Sequence, residues 1–358
     1  MSELYDIVFH LVGKQRIPNL MGVLHIPGKK HVFIETKEFN SSYIYPFLHD
    51  SEYDNIIVQA NDIIGVQEKI LKYLNKNKAE KIAFNLTGGT KLMFIGAYSA
   101  CNKLNAVPYY IDATRRMLFK LDDNTKRPLD ALLKVEDFIK LHASNSNYNI
   151  NKRDIYLSDL EKKVLGLMWR NRYDIKNIFA THIQGKKLEF NHSFVRGDTS
   201  VTLLSDTVCL VSIDGVSCKF HRDEGCVKFL SGTWFEEYIY TLIDKYIKEG
   251  SITDISIGTI VEYYKVPSYE FDILFTDGKR LFEIECKSGK VDQTDITKLD
   301  SNATYFGGSE VCSILATVQD IQDNGMKAKL EVLGIKQIYG DKLADKLEKI
   351  ITDKLSSY

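Results

Sequence analysis

Five short apolar runs punctuate the first third of the chain: Leu4–Val12, His31–Thr36, Asn55–Ala60, Lys81–Leu86 and Val107–Ile111. Each has strand length, and none alternates with polar residues as a half-exposed strand would. Between the third and fourth runs, Val66, Ile70 and Leu74 recur at helical spacing. Leu92–Leu104 is helical between the fourth and fifth. Buried strands separated by helices predict an α/β domain, a Rossmann-like parallel sheet covered on both faces, over residues 1–144. A polar stretch from Asn145 to Asn149 marks a linker. Beyond it, Leu157–Arg172 is amphipathic, with Leu160, Val164, Leu167 and Met168 on one face. Val201–Leu204, Val208–Ile213 and Val216–His221 are short strands, and Asp214-Gly215 predicts a tight hairpin turn. Residues 145–225 thus form a connector or a winged-helix-like unit, and nothing in them carries chemistry.

The last part, 226–358, predicts a second α/β domain. Tyr269–Thr276 and Lys279–Ser288 alternate around Asp277-Gly278, which predicts a two-residue turn. That turn would set Asp272 opposite Glu283 and Glu270 opposite Glu285. Alternation places Glu270, Asp272, Glu283, Glu285 and Lys287 on one face, and Phe271, Ile273, Phe282, Ile284 and Cys286 on the other. Like charges across a strand pair are unfavourable. A divalent cation with oxygen ligands would explain them, as would a solvated face balanced by Lys287 and Arg280. A helix opening at Gly232-Thr233-Trp234-Phe235-Glu236-Glu237 offers another carboxylate, Glu236 or, in its place, Glu237. Thr233 and Glu236 also have capping-box spacing.

Ligand-binding loops in a parallel sheet leave the carboxyl ends of its strands. Here they carry Lys14, Gln15 and Asn19; Asn61 and Asp62; and Thr87, Gly88, Gly89, Thr90 and Lys91. The last loop runs straight into a helix, whose free N–H groups suit a phosphate. A tight strand-to-helix turn capped by Thr90 would use the same residues. Neither the Walker A nor the dinucleotide glycine pattern is present.

The chain has 358 residues, is 44% hydrophobic and 27% charged, and carries 47 Lys+Arg against 48 Asp+Glu. No global basic field draws it to nucleic acid, so such contact must be local or through metal. Six scattered cysteines without a C-x-x-C pair predict free thiols in a reducing cytoplasm, not zinc or disulfides. No apolar run reaches membrane-spanning length, and no leader pattern opens the chain.

Two strings resemble known families. Asn85-Leu86-Thr87-Gly88-Gly89-Thr90-Lys91-Leu92-Met93 resembles the signature of CARF domains, as do Gln15-x-Ile17-Pro18-Asn19 and Thr36-Lys37-Glu38. The variety in question is fused to a nuclease among the ancillary effectors of type III CRISPR systems. E-x-D at 270–272 followed by E-x-K at 285–287 resembles the PD-(D/E)XK nucleases, and the Trp-Phe-Glu-Glu helix is similar to that of the same effectors. The resemblance implies a restriction-endonuclease-like C-terminal fold and a homodimer that binds cyclic tetraadenylate as activator. It implies cleavage of DNA, RNA or both, single strands favoured. It also implies that Asp272, Glu285 and Glu236 hold Mg²⁺ or Mn²⁺ while Lys287 orients water or stabilises developing charge. Glu262-Tyr263-Tyr264-Lys265 could stack bases or pack on the core. Lys14, Gln15 and Thr87 are the residues to suspect if the domain degrades its ligand. Two other readings remain: a repair or restriction nuclease that ignores the ligand, and a non-catalytic, ligand-gated nucleic-acid-binding regulator.

Overall fold

The computed structural model describes residues 3–49, 51–113, 115–142, 148–263, 266–306 and 311–355. Most of the expected linker, and Tyr264 and Lys265 of the tyrosine stretch, lie outside them. The chain divides into two compact units, Met1–Asn147 and Tyr148–Ser357.

The first unit runs β1 (Tyr5–Leu11), α1 (Ile17–His25), β2 (Gly28–Glu35), β3 (Glu52–Ile57), α2 (Ile63–Lys76), β4 (Ile82–Asn85), α3 (Lys91–Lys103), β5 (Val107–Asp112), β6 (Met117–Lys120), β7 (Lys126–Pro128) and α4 (Val135–His142). The sheet order is β3-β2-β1-β4-β5-β6-β7. The five expected strands are parallel, and β6 and β7 extend the sheet antiparallel. Ile7, Phe9 and Leu11 meet Val66, Ile70 and Leu74 of α2 and Met93 and Ala97 of α3 in one core. His10 points to the other face, where α1 comes so close that a Cβ on Gly22 would lie 3.0 Å from the His10 ring. The order reverses between β1 and β4, so the loops after these neighbouring strands open a crevice at the sheet's carboxyl edge.

The second unit holds β8 (Tyr148–Asn151), α5 (Asp159–Arg170), α6 (Arg172–Ile178), β9 (Ser193–Arg196), β10 (Thr199–Leu203), β11 (Val208–Ile213), β12 (Val216–His221), a turn α7 (Cys226–Lys228) and α8 (Trp234–Lys248). It continues with β13 (Asp254–Tyr263), β14 (Val266–Thr276), β15 (Leu281–Lys287), α9 (Gln293–Phe306), β16 (Val311–Thr317), α10 (Asn324–Val332), β17 (Lys336–Tyr339) and α11 (Leu343–Leu355). The middle segment builds a four-stranded antiparallel sheet, β12-β11-β10-β9, and the rest a mixed six-stranded sheet, β17-β16-β15-β14-β13-β8. Both belong to one core: Val164, Met168, Val211 and Phe220 share it with Phe235, Ile273, Phe282 and Ile284. The segment expected as a connector is therefore packed into the C-terminal unit, because its apolar residues have no separate core to fill.

Ser158 and Glu161 form a full capping box at the start of α5. The buried face of that helix is Val164, Leu165, Met168 and Trp169, and Leu160 is exposed, a rotation from the expected stripe. Trp169 takes the place of Leu160 by stacking on Phe235 at 5.1 Å. All six cysteines are free thiols, and no described helix is long and apolar enough to cross a membrane.

Candidate active site and ligand crevice

The hairpin that carries the carboxylates closes differently from the sequence expectation. Thr276 pairs with Leu281, and Ile273 with Ile284. The loop is four residues long because the Asp277 side chain accepts the N–H groups of both Lys279 and Arg280, each at 2.8 Å, while the Thr276 hydroxyl binds the Arg280 carbonyl. Glu283 thus stands opposite Leu274, not Asp272, and one step beyond the Ile273–Ile284 pair Asp272 comes opposite Glu285. The shift is two residues, so the expected faces survive. Glu270 is exposed and stands off from this pair.

The carboxylate face is not solvated. Glu283 and Glu285 are 2% and 1% exposed. α9 lies over this face, with Ile296 and Leu299 in a second core beside Leu315 of β16. Glu285 is held by two ammonium groups, Lys287 and Lys298, each at 2.9 Å. Lys287 also bonds Asp295 at 3.0 Å. Asn302 donates to Glu283 at 2.7 Å. The backbone N–H of Cys286 donates to Asp272 at 2.7 Å.

On the opposite face α8 brings Glu236, whose carboxylate accepts from Arg153 at 3.1 Å. Thr233 has helical dihedrals and makes no side-chain cap, so Glu236 is not spent in a capping box. Glu237 does not substitute for it. It is 1% exposed and held bidentately by Arg222 at 2.8 and 2.7 Å, and Arg222 also reaches Glu161.

The acids feel one another. Burial, then the charge of Asp272, pushes the Glu236 carboxyl up to about 8. Burial, then the charge of Glu285, pushes Asp272 up to about 6, and burial pushes Glu283 up to about 8. Burial works against the Lys287 ammonium, yet the Glu285 and Asp295 charges outweigh it and raise its pKa. Among the described residues no three His, Cys, Asp or Glu side chains converge tightly enough to hold a metal ion. Lys287 and Lys298 hold the Glu285 oxygens instead, and Arg153 holds Glu236. The donors are all carboxylate oxygens, the type that hard divalent cations take. A cation would relieve the mutual repulsion that raises Asp272 and Glu236, so these residues fit one in kind.

Lys298, Asp295 and Asn302 had no place in the sequence reading. Their i, i+3, i+7 spacing along α9 puts them on one side of the helix, beside the buried Ile296 and Leu299, which was the available signal. Arg153 had no such signal.

In the first unit the structure brings the three loops expected at the strand ends together. A Cβ on Gly88 would lie 1.9 Å from the Leu11 carbonyl oxygen, and one on Gly13 2.7 Å from the Gly89 nitrogen. Thr90 caps α3 by accepting from Met93, and its hydroxyl donates to the Ala60 carbonyl at 2.6 Å. Asp62 caps α2 through Gly65. Thr87 accepts the N–H of Ile111, and Asn19, 1% exposed, donates to Leu11. Thr36 accepts the N–H of Phe39 in its own loop. Lys14, Gln15, Lys37, Asn61 and Lys91 are exposed. Asn85 pins the crevice from below, with Nδ2 on the Pro18 carbonyl at 3.2 Å and Oδ1 on the Thr87 N–H at 3.2 Å. Beneath it lie His10 and His31, in contact at 2.8 Å.

A parallel sheet with a glycine-floored crevice at its switch point and a carboxylate-and-lysine hairpin thus stand in one chain. The family models agree: residues 7–138 match the Card1 CARF domain and residues 223–358 the Card1-like endonuclease domain. The chain belongs to this family of CARF endonucleases. No curated protein sequence matches it. The fold is similar to that of Can2 from Sulfobacillus thermosulfidooxidans, solved in complex with cyclic tetra-adenylate. There the TM-score is 0.75 at 19% identity, over 97% of this chain and 99% of that one. Protein VC1899 from Vibrio cholerae is similar at a TM-score of 0.73 and 16% identity, over 98% and 99% of the two chains. A type III CRISPR defence DNA nuclease activated by cyclic oligoadenylate is similar at 0.56 and 13% identity, over 98% of this chain and 52% of that one.

Proposed function

We propose that the protein is a cyclic tetraadenylate-activated, divalent-metal-dependent nuclease of the PD-(D/E)XK type that acts as a homodimer in type III CRISPR defence. The observation that carries this is the juxtaposition of Asp272, Glu285 and Lys287 on two paired strands, beside an acid on α8, in a chain that also has a CARF domain. Asp272 and Glu285, joined by Glu236, would hold Mg²⁺ or Mn²⁺. Such an ion supplies Lewis-acid polarisation of a phosphodiester and a water of lowered pKa. Lys287 places a positive charge next to these carboxylates, where it stabilises the charge that grows on the phosphate.

The crevice of the first unit is the seat proposed for the activator. Lys14, Gln15, Lys37, Asn61 and Lys91 supply exposed polar and cationic groups, Gly88 and Gly89 allow close backbone approach, and the N-terminus of α3 favours a phosphate. Asn19, Thr36, Asp62, Thr87 and Thr90 shape the loops through the internal bonds described above. A two-fold dimer would present the set twice to a ring with its own two-fold symmetry. Can2, which shares the fold, was solved with that ring bound. Activation requires that the ring favour the cutting arrangement over the resting one.

The test is cleavage of supercoiled plasmid, single-stranded DNA and single-stranded RNA with Mn²⁺ or Mg²⁺, with and without cyclic tetraadenylate, beside Glu285→Ala. Ligand-dependent cutting that disappears in the variant is expected. Equal cutting without the ring would sink the sensor half of the reading, and cutting by the variant would sink the assigned site.

A further inference from the structure

Two neighbouring acids at the start of α8 are held in different ways. Glu237 is gripped bidentately by Arg222, which also binds Glu161. Glu236, the acid proposed for the metal, has a single charge-assisted bond, from Arg153 Nη2 at 3.1 Å. The other end of that guanidinium stands 4.0 Å from Glu224, at the limit of an ion pair. Arg153 Nε is buried with no partner among the described residues. A bidentate arginine–carboxylate pair is stronger and more fixed than a single bond, and an unmatched buried donor makes the held state costlier. Arg222 thus has the geometry of a structural tie, and Arg153 that of a hold that can be released.

Arg153 also stands at a particular place in the chain. β8 is the first element of the second unit, and residues 143–147 connect it to α4 of the first. It is four residues long and lies at the edge of the six-stranded sheet, where it pairs with β13. Two residues past β8, the Arg153 N–H donates to the Ile257 carbonyl at 3.1 Å. The side chain then crosses Gly258, where a Cβ would come 3.2 Å from the Arg153 Cβ and 3.7 Å from its Nε. Short edge strands with solvent-exposed backbone bonds are among the first parts of a fold to open. A displacement that travels along the chain from the sensor therefore arrives first at β8 and, two residues later, at Arg153.

We propose that Arg153 is a resting-state lock on Glu236: without the ring it neutralises this acid and keeps it from a cation at Asp272 and Glu285, and ring binding, transmitted through β8, withdraws it. This rests on the nuclease reading above, and it assigns the regulation of that site to a side chain outside both the hairpin and the CARF crevice. A guanidinium and a divalent cation compete for the same carboxylate oxygens. Withdrawing the guanidinium frees Glu236 as a further oxygen ligand, so ring binding and metal binding become coupled, each strengthening the other.

The experiment uses the full-length protein and reads Mn²⁺ affinity by calorimetry, with and without cyclic tetraadenylate, for wild type, Arg153→Met, Arg153→Lys and Glu285→Ala. Wild type is expected to bind Mn²⁺ about tenfold more tightly with the ring than without it, within the usual range of such couplings. R153M keeps the stem over Gly258 and is expected to show the tight value in both states. R153K retains a positive charge and is expected to restore most of the ring dependence. An arginine that merely supports the fold would lower the affinity of R153M in both states, and that result overturns the lock. Should R153M fail to fold, wild type alone decides: hydrogen exchange at β8 and at the Arg153 amide, without metal, is expected to quicken several-fold when the ring binds. Ring bound with either exchange or Mn²⁺ affinity unchanged in wild type overturns the lock. E285A separates this from the nuclease reading. Mn²⁺ binding that survives E285A unchanged sinks the assigned metal site, whereas binding that is lost in E285A but insensitive to Arg153 and to the ring sinks the lock alone.

Discussion

Glu285 and Lys298 are joined by a 2.9 Å ion pair between β15 and α9, with the carboxylate almost wholly buried. With Lys287 on its other oxygen at 2.9 Å, Glu285 offers a metal no unoccupied atom. A cation must therefore compete with two ammonium groups. Replacing Lys298 by Met removes one competitor and keeps the aliphatic stem. Mn²⁺ affinity, read by calorimetry on the full chain, is expected to rise about tenfold, the equivalent of ~1.4 kcal/mol. An unchanged or weaker affinity would mean that Lys298 does not guard the site.

Arg222, just past the end of the middle sheet, lies between two acids, at 2.7 Å from the buried Glu237 of α8 and 3.1 Å from Glu161 of α5. Removing one member of a buried ion pair leaves an uncompensated charge. Arg222→Ala is expected to destabilise the second unit by about 3–5 kcal/mol. Urea unfolding followed by tryptophan fluorescence measures it, since both tryptophans, Trp169 and Trp234, sit in that core. A loss under ~1 kcal/mol, the range of a surface pair, would show the pair to be solvated.

Gly88 packs against the Leu11 carbonyl so closely that any Cβ there must displace backbone. Gly88→Ala is expected to cost about 1–3 kcal/mol as overpacking and to open the crevice between the β1 and β4 loops. Cyclic tetraadenylate binding should fall by more than tenfold, while cleavage-site integrity, read as Mn²⁺ binding to the second unit, stays at the wild-type value. Wild-type affinity for the ring in this variant would place the ligand elsewhere.

His10 and His31 are buried in contact beneath the crevice. Burial pushes His31 down to about 4, and burial together with the neighbouring imidazole holds His10 well below its ordinary value. Both folded pKa values lie below the unfolded value of about 6.5, so the unfolded chain binds more protons in the window between them. Stability is complete above pH ~6.5 and is lost as pH falls from there toward 4. His31 alone accounts for roughly 3 kcal/mol of that loss. Circular dichroism melts of wild type and His31→Gln between pH 4 and 7 should show a steep acid decline that is shallower in the variant. Parallel declines would be incompatible with a neutral buried pair.

Periodicity was enough to read the elements wherever burial on a sheet or helix face dictates residue type. Val66, Ile70 and Leu74 are the buried stripe of α2, and the five apolar runs are the five parallel strands. The carboxylate face was legible for a similar reason, since alternation survives any register shift by an even number. Two Asp-Gly pairs show the limit. Asp214-Gly215 makes the expected two-residue turn, with both residues at positive φ and Ile213 paired with Val216. At Asp277-Gly278 only Gly278 has positive φ, because the Asp277 carboxylate captures two N–H groups further on and lengthens the loop. That competition is between local hydrogen bonds of nearly equal strength, and the dipeptide does not reveal its outcome.

The sequence by itself determined which residues could form the strands, that Asp272, Glu285 and Lys287 share a face, and that the Thr-Gly-Gly-Thr loop meets a helix. Tertiary structure alone decided that Lys298 and Arg153 hold the acids, that Glu237 belongs to Arg222, and that residues 148–221 fill the same core as the nuclease strands. The reason is distance along the chain. Face and turn are settled by neighbours a few residues apart, whereas the partner of a buried charge lies anywhere that packing brings a matching group. In these cases it lies 13 to 83 residues away.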